Sequence, residues 1–267
     1  MSETKKEYAI VKSTYRSNGF ECPPNIYQLL ITIDLLSSTT LYLLSIFYNT
    51  ITVFEYIILT ISLPALCATL YYWFKASKSD PTDPVVKSNR LAVLNNVAFD
   101  SSRYENMCTI CNSSVGNDVK HCGSCNRCVE SFDHHCIWLN NCIGKTNYLL
   151  FIKLLASVLV YEATLLTFSS VKISEWCKGE FNDNKGISFI GALIFLVVQG
   201  VAVELFVFNL IVLHAWLRSQ GMTTYQLIKK RNKKKKIAKK LSQTELVNSN
   251  LSIPDSPKQP GNRLEIK

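Results

Sequence analysis

CTICNSSVGNDVKHCGSCNRCVESFDHHCIWLNNC, residues Cys108 to Cys142, is the stretch around which the rest of the chain can be organised. It holds seven of the ten cysteines and three of the four histidines. Two apolar runs precede it, roughly Ile26 to Tyr48 and Val53 to Phe74, and two follow, Leu149 to Val171 and Phe189 to Leu213. Each has the ~20 residues needed to cross a ~30 Å hydrocarbon core. A soluble protein of this length would show shorter apolar runs with a polar stripe at helical period. The fold class expected is therefore an α-helical multi-pass membrane protein. It has four transmembrane helices, with a cysteine-rich, zinc-binding domain between helices 2 and 3.

Charge sets the expected orientation. Lys and Arg number four before the first run, eight between the second and third and thirteen after the fourth, against none and three in the two opposite loops. This asymmetry places both termini and the cysteine-rich loop in the cytosol. The polar start, MSETKKEYAIVKSTYRSNG, lacks the apolar core of a cleavable signal peptide, so the first run is expected to be retained. The expected parts are a cytosolic N-terminal segment (1–25), helices 1 and 2 (26–74), the cysteine-rich domain (75–147), helices 3 and 4 (148–217) and a basic tail (218–267). Arg218 to Lys240 carries ten basic residues and no acidic one. Next to a span, such a run is suited to anionic lipid headgroups, each basic residue contributing about 1 kcal/mol, rather than to nucleic acid. The later stretch PDSPKQPGNR, Pro254 to Arg263, has the composition of an unstructured coil.

In a reducing compartment, clustered cysteines point to metal or catalysis rather than disulfides. The candidate ligands are Cys108-x2-Cys111, His121, Cys122-x2-Cys125-x2-Cys128, His134, His135, Cys136 and Cys142. Two thiolates on one tight turn reach the same tetrahedral ion, which is why Cys-x2-Cys recurs in structural zinc sites. Two closed sites consume eight ligands, and ten are present. If Cys136 and His134 are left over, six Cys and two His divide into two Cys3His sites, and a thiol stands near an imidazole with Asp133 available to orient it. A positive local potential favours the thiolate, the nucleophilic form. Parity alone does not choose which two remain, and residues two apart share a face only in extended backbone.

Asp133-His134-His135-Cys136, continued as Ile137-Trp138-Leu139-Asn140-Asn141-Cys142-Ile143-Gly144 with Asn147 and Phe151 beyond, resembles the signature of the DHHC family of protein S-acyltransferases (palmitoyltransferases). The resemblance implies one structural zinc on Cys108, Cys111, His121 and Cys128 and another on Cys122, Cys125, His135 and Cys142. It also implies that Cys136 attacks the thioester of a fatty acyl-CoA such as palmitoyl-CoA, with His134 as base and Asp133 orienting it. The chain then passes to an acceptor cysteine of a substrate protein, on an endomembrane, Golgi or endoplasmic reticulum. Departures from the family pattern are Gly116-Asn117-Asp118 where Pro-x-Arg is common, Ile137 for Pro, Asp80-Pro81-Thr82 for Asp-Pro-Gly, and Thr223-Thr224-Tyr225-Gln226 for Thr-Thr-x-Glu.

Trp138, inside the signature, is expected to wall the active site. Tyr161, thirteen residues past Tyr148 and so about 20 Å along its helix, is a candidate floor for the acyl pocket, with Ser37 to Thr40 of the first span facing it. Glu162 and Glu204 are expected to meet hydroxyl or backbone groups inside the bundle, and Asp34 the interface. His214, without Cys or His neighbours, is expected to be an interfacial residue. Cys22 reads as a plain thiol. Two other classes fit parts of the pattern. A RING-type ubiquitin ligase interleaves two zincs but ends in a second Cys-x2-Cys, whereas Cys142 stands alone; a zinc scaffold would not need Asp133, His134 or Cys136.

Overall fold

A computed structural model describes residues 15–21, 23, 25–47, 51–179 and 187–251. Cys22 and the Pro254 to Arg263 stretch lie outside the described residues. The elements run α1 (Ile26–Phe47), α2 (Val53–Lys78), α3 (Pro84–Leu94), β1 (Asn106–Cys108), β2 (Ser113–Val115), β3 (Val119–Cys122), β4 (Arg127–Glu130), β5 (His134–Cys136), β6 (Asn141–Ile143), α4 (Tyr148–Cys177), α5 (Ile187–Ser219) and α6 (Thr224–Leu251). Residues 1–224 form one compact unit and 225–267, with most of α6, another.

Among the described residues four helices, α1, α2, α4 and α5, are long and apolar enough to cross a membrane. Their exposed side chains include Leu36, Ile57, Phe195 and Phe208, large apolar groups that water would not tolerate as continuous faces. Between the helices, Tyr42, Ile58, Tyr161, Leu165, Phe168 and Leu196 pack into one buried cluster. Some polar groups inside the bundle are paired across helices. Lys172 of α4 meets Glu55 of α2, both buried. Gln199 of α5 donates to Asp34 of α1 at 3.3 Å and lies beside Glu162 of α4. The neighbour of Glu162 is thus an amide, not the hydroxyl or backbone group expected, and Asp34 turns inward rather than to the interface.

The cysteine-rich loop folds into three antiparallel hairpins, β1–β2, β3–β4 and β5–β6. Strands this short bury little apolar surface, so the loop must be held by other means. Its turns follow a shared local rule. Asn112 and Asn126, each directly after the second Cys of a Cys-x2-Cys pair, adopt φ of 45° and 50°, and Asn140 adopts 50°. Asn is the non-glycine residue that enters this left-handed region most readily.

The module is tied to one end of the bundle by its asparagines. Asn141, fully buried, donates to the carbonyls of Ala76, Ser77 and Ser79 at 2.9, 3.0 and 2.9 Å, satisfying the C-terminal end of α2. Its side-chain oxygen accepts from the buried Arg127 guanidinium and from the Cys142 N–H. Asn147 donates to Ser79 Oγ at 2.8 Å and to the Cys142 carbonyl at 2.9 Å. Gly144 is required by space: a Cβ there would stand 2.5 Å from Val129 Cγ1 and 2.7 Å from the Glu130 carbonyl oxygen.

Candidate active site and metal centres

Strand alternation explains how the ligands interleave. Successive side chains of a strand point to opposite faces, so neighbours in sequence serve different sites. In β3–β4 His121 stands directly across from Cys128, and both join Cys108 and Cys111. Cys122, the next residue along β3, faces away and joins Cys125, His135 and Cys142. In β5–β6 His135 is paired with Cys142 in the same manner. The two groups of four implied by the resemblance are the two that the fold assembles, each with its ligand atoms within 4.8 Å of one another.

These sets could each hold a metal ion, and their geometry fits zinc. Tetrahedral bonds of ~2.3 Å to sulfur and ~2.0 Å to nitrogen place the ligand atoms about 3.5 to 3.8 Å apart. In the first set His121 Nδ1 lies 3.7, 3.4 and 3.8 Å from Cys108, Cys111 and Cys128 Sγ, and the Cys128 and Cys111 sulfurs are 3.6 Å apart. In the second His135 Nδ1 lies 3.3 Å from Cys125 and 3.9 Å from Cys142. The crowding has an electrostatic signature. A hydrogen bond from Cys128 pulls the Cys111 thiol down to about 5, while the Cys111 sulfur pushes Cys128 up. Likewise, hydrogen bonds from Cys125 and Cys142 lower Cys122, and Cys122 raises Cys142. Three thiolates cannot share so small a volume without a cation, which is the role a structural zinc would supply.

β5 has a second face. His134 and Cys136 lie on it together, two residues apart in extended backbone, which is the condition their partnership required. The Cys136 sulfur is near enough to the His134 ring to stabilise its charged form. On its other side His134 donates from Nδ1 to Asp133 Oδ2 at 2.6 Å, and Asp133 Oδ1 accepts the Thr224 backbone N–H at 2.8 Å. Asp133 is 3% exposed. Burial opposes its charge, but the His134 ring and Thr224 outweigh it and hold the carboxyl below the usual range. Burial also opposes the charge on His134, yet Asp133 and then Cys136 raise it to about 9. At neutral pH the arrangement favours an imidazolium between the Asp133 carboxylate and the Cys136 sulfur.

This face looks into the membrane bundle. Cys136 is buried among Ala76 of α2, Leu139 and Ile143 of the module, and Phe151 and Leu154 of α4. Trp138 is edge-on to Tyr27 of α1 at 5.7 Å and to Phe206 of α5 at 6.3 Å. Tyr161 is buried deeper on α4, ten residues beyond Phe151 and so about 15 Å along the helix. Its hydroxyl lies 2.7 Å from Thr39 Oγ1 of α1, within the Ser37 to Thr40 run.

Sequence reading missed two features. His214 of α5 is not interfacial: it is 3% exposed and its ring lies 5.8 Å from that of His134 and 5.1 Å from that of Phe151. No local pattern announces it, because its partners are remote in sequence. The other is a strap made by the segment before α1. Arg16 N–H donates to the Cys125 carbonyl at 3.0 Å, Gly19 N–H to the Ser77 carbonyl at 2.7 Å, and Arg127 to the Ser17 carbonyl at 2.6 Å. Gly19 has no alternative, since any Cβ would overlap the Leu139 carbonyl.

The departures from the family pattern leave the site intact. Asp80-Pro81-Thr82 still meets the module: Thr82 bridges Val129, Asp83 N–H donates to the Cys128 carbonyl at 2.9 Å, and Asp80 pairs with Lys87 at 2.9 Å. Gly116 follows an ordinary β1–β2 hairpin, and its N–H approaches Asp83 Oδ2 at 3.4 Å. No curated protein matches the chain significantly. Residues 101–231, from before β1 into α6, match the family described as DHHC palmitoyltransferase. With its four apolar helices and the metal-ligand sets between the second and third, the chain carries a DHHC palmitoyltransferase domain over residues 101–231.

Proposed function

We propose that the protein is a protein S-palmitoyltransferase that uses Cys136 as its nucleophile. The observation that carries this reading is that His134, hydrogen-bonded to Asp133, shares with Cys136 the face of β5 that packs against the helical bundle. The Cys136 thiolate attacks the carbonyl carbon of palmitoyl-CoA, the thioester bond to CoA breaks, and the CoA sulfur leaves with the proton held on His134. In the second half, His134 takes the proton of an acceptor cysteine, whose sulfur attacks the Cys136 thioester and releases the Cys136 thiolate. Thioester is exchanged for thioester throughout, so the protein's task is to position the sulfur and keep water out. Two structural zinc ions, on Cys108, Cys111, His121 and Cys128 and on Cys122, Cys125, His135 and Cys142, hold β5 in place.

The acyl chain runs from Cys136 past Trp138 toward Tyr161, whose contact with Thr39 closes the path between α4 and α1. Removing the Tyr161 ring should lengthen the preferred chain. An unchanged acyl-CoA preference in Tyr161→Ala would exclude that floor. The basic run of the tail rests on anionic lipid, and both termini face the cytosol on a Golgi or endoplasmic reticulum membrane. Acceptor cysteines beside the membrane suit the product, because one chain gives only marginal anchoring and a second signal makes it stable. The test is turnover with two substrates. Purified protein pre-loaded from palmitoyl-CoA and freed of excess donor should transfer its chain to a cysteine peptide. A loaded enzyme that loses its chain only to water would exclude the transferase reading.

A further inference from the structure

We propose that Asp133, His134 and His214 form a third metal site, distinct from the two structural sets, through which a divalent ion of the zinc, nickel or cobalt class reversibly blocks the enzyme. One carboxylate oxygen and two imidazole nitrogens from these residues lie within 4.8 Å of one another. Two imidazoles and a carboxylate are a ligand set for borderline transition ions, and not for Mg2+ or Ca2+, which prefer all-oxygen surroundings. Three protein ligands leave a coordination position open, which suits an exchangeable ion rather than a structural one.

The site is built in advance. Asp133 and His214 are each 3% exposed, so little ordering cost attends binding. His214 is held by the Tyr148 hydroxyl 3.2 Å from its Nδ1 and by the edge of Phe151, and Asp133 is held by the Thr224 N–H. The ligands come from β5 with the residue before it and from α5, so an ion here would join module to bundle. It would also replace the proton shared by Asp133 and His134 at 2.6 Å and occupy the imidazole that Cys136 needs.

Binding can be measured without activity. Full-length protein in nanodiscs, already holding its two structural zincs, is titrated with Co2+ and followed by visible absorption and metal content. A third equivalent is expected. His214→Gln should weaken it at least as much as the roughly 10–100-fold lost when even an outer-shell metal partner is removed. Retention of two zincs by that variant shows that it has folded. Absence of a third equivalent, or equal affinity in His214→Gln, would overturn the site. The inhibitory role rests on the acyltransferase reading. Zn2+ but not Mg2+ should slow Cys136 acylation by palmitoyl-CoA, with the half-inhibitory concentration at least about tenfold higher in His214→Gln relative to its own metal-free rate. Binding without inhibition overturns the inhibitory role. A third ion in a protein that never acylates upholds the site and removes the transferase reading instead.

Discussion

The two metal-ligand sets have the same composition, yet they stand in different parts of the molecule. The set of Cys108, Cys111, His121 and Cys128 packs with Val86 of α3, Val115 and Val119, away from Cys136. The set of Cys122, Cys125, His135 and Cys142 includes a residue of β5, and His135 is flanked by His134 and Cys136. One three-residue strand thus carries a metal ligand on one face and the proposed proton carrier and nucleophile on the other. Equal ligands need not have equal consequences: the near set fixes reacting atoms, the far set fixes the scaffold around them.

Removing ligands one set at a time is the way to break that comparison. The largest effect is expected for His135→Ala, which should lose one of two zincs by metal analysis and at least about a hundredfold in acylation rate, since small misplacement of reacting groups costs that much. Next comes Asn141→Ala, which leaves the metal ligands alone but strands the α2 carbonyls of Ala76, Ser77 and Ser79. Thermal unfolding in detergent should show a loss of about 2–4 kcal/mol, from several hydrogen bonds at ~1 kcal/mol each with their acceptors left buried. Cys111→Ser, in the far set, should also lose one zinc but slow acylation by only about tenfold, the milder of the two ligand losses. Equal rates in His135→Ala and Cys111→Ser would erase the distinction between the sets. The smallest change is Thr224→Pro, which deletes one N–H donor to Asp133 at a helix start where Pro is tolerated. A hydrogen bond to a charged group contributes roughly 1.5–3 kcal/mol, of which only the part that differs between resting state and transition state reaches the rate, so single-turnover acylation should fall by about tenfold or less with zinc content unchanged.

What could be read from the sequence follows from how each feature is encoded. Metal ligands are marked by residue type and spacing, so ten candidates for eight places were legible in the sequence, while which two stay free was implied only by the family resemblance. The interleaving came from the resemblance rather than from spacing, because it depends on which face of β3 and β5 each residue takes. The spans were legible as apolar runs, but the helices extend further. α4 ends at Cys177 rather than Val171 and α5 at Ser219 rather than Leu213, since a helix continues past the hydrocarbon where hydropathy no longer marks it. Helix α3 and the strap through Arg16 and Gly19 were missed. The strap is held largely through backbone N–H and carbonyl groups, which every residue possesses and no pattern advertises. Tyr161 and the run Ser37 to Thr40 were named as partners from helical depth and small side chains, and within that run it is Thr39 whose hydroxyl lies 2.7 Å from that of Tyr161.

The claim that one face of β5 binds metal while the other does chemistry is tested most directly by locating the acyl group. Zinc-loaded, full-length protein is incubated with palmitoyl-CoA, digested under conditions that spare thioesters, and read by mass spectrometry alongside its metal content. One palmitoyl group on Cys136, removed by hydroxylamine and absent from Cys136→Ser, with two zincs retained in both proteins, is the predicted result. A palmitoyl group on Cys67 or Cys177, both exposed, that persists in Cys136→Ser would contradict it.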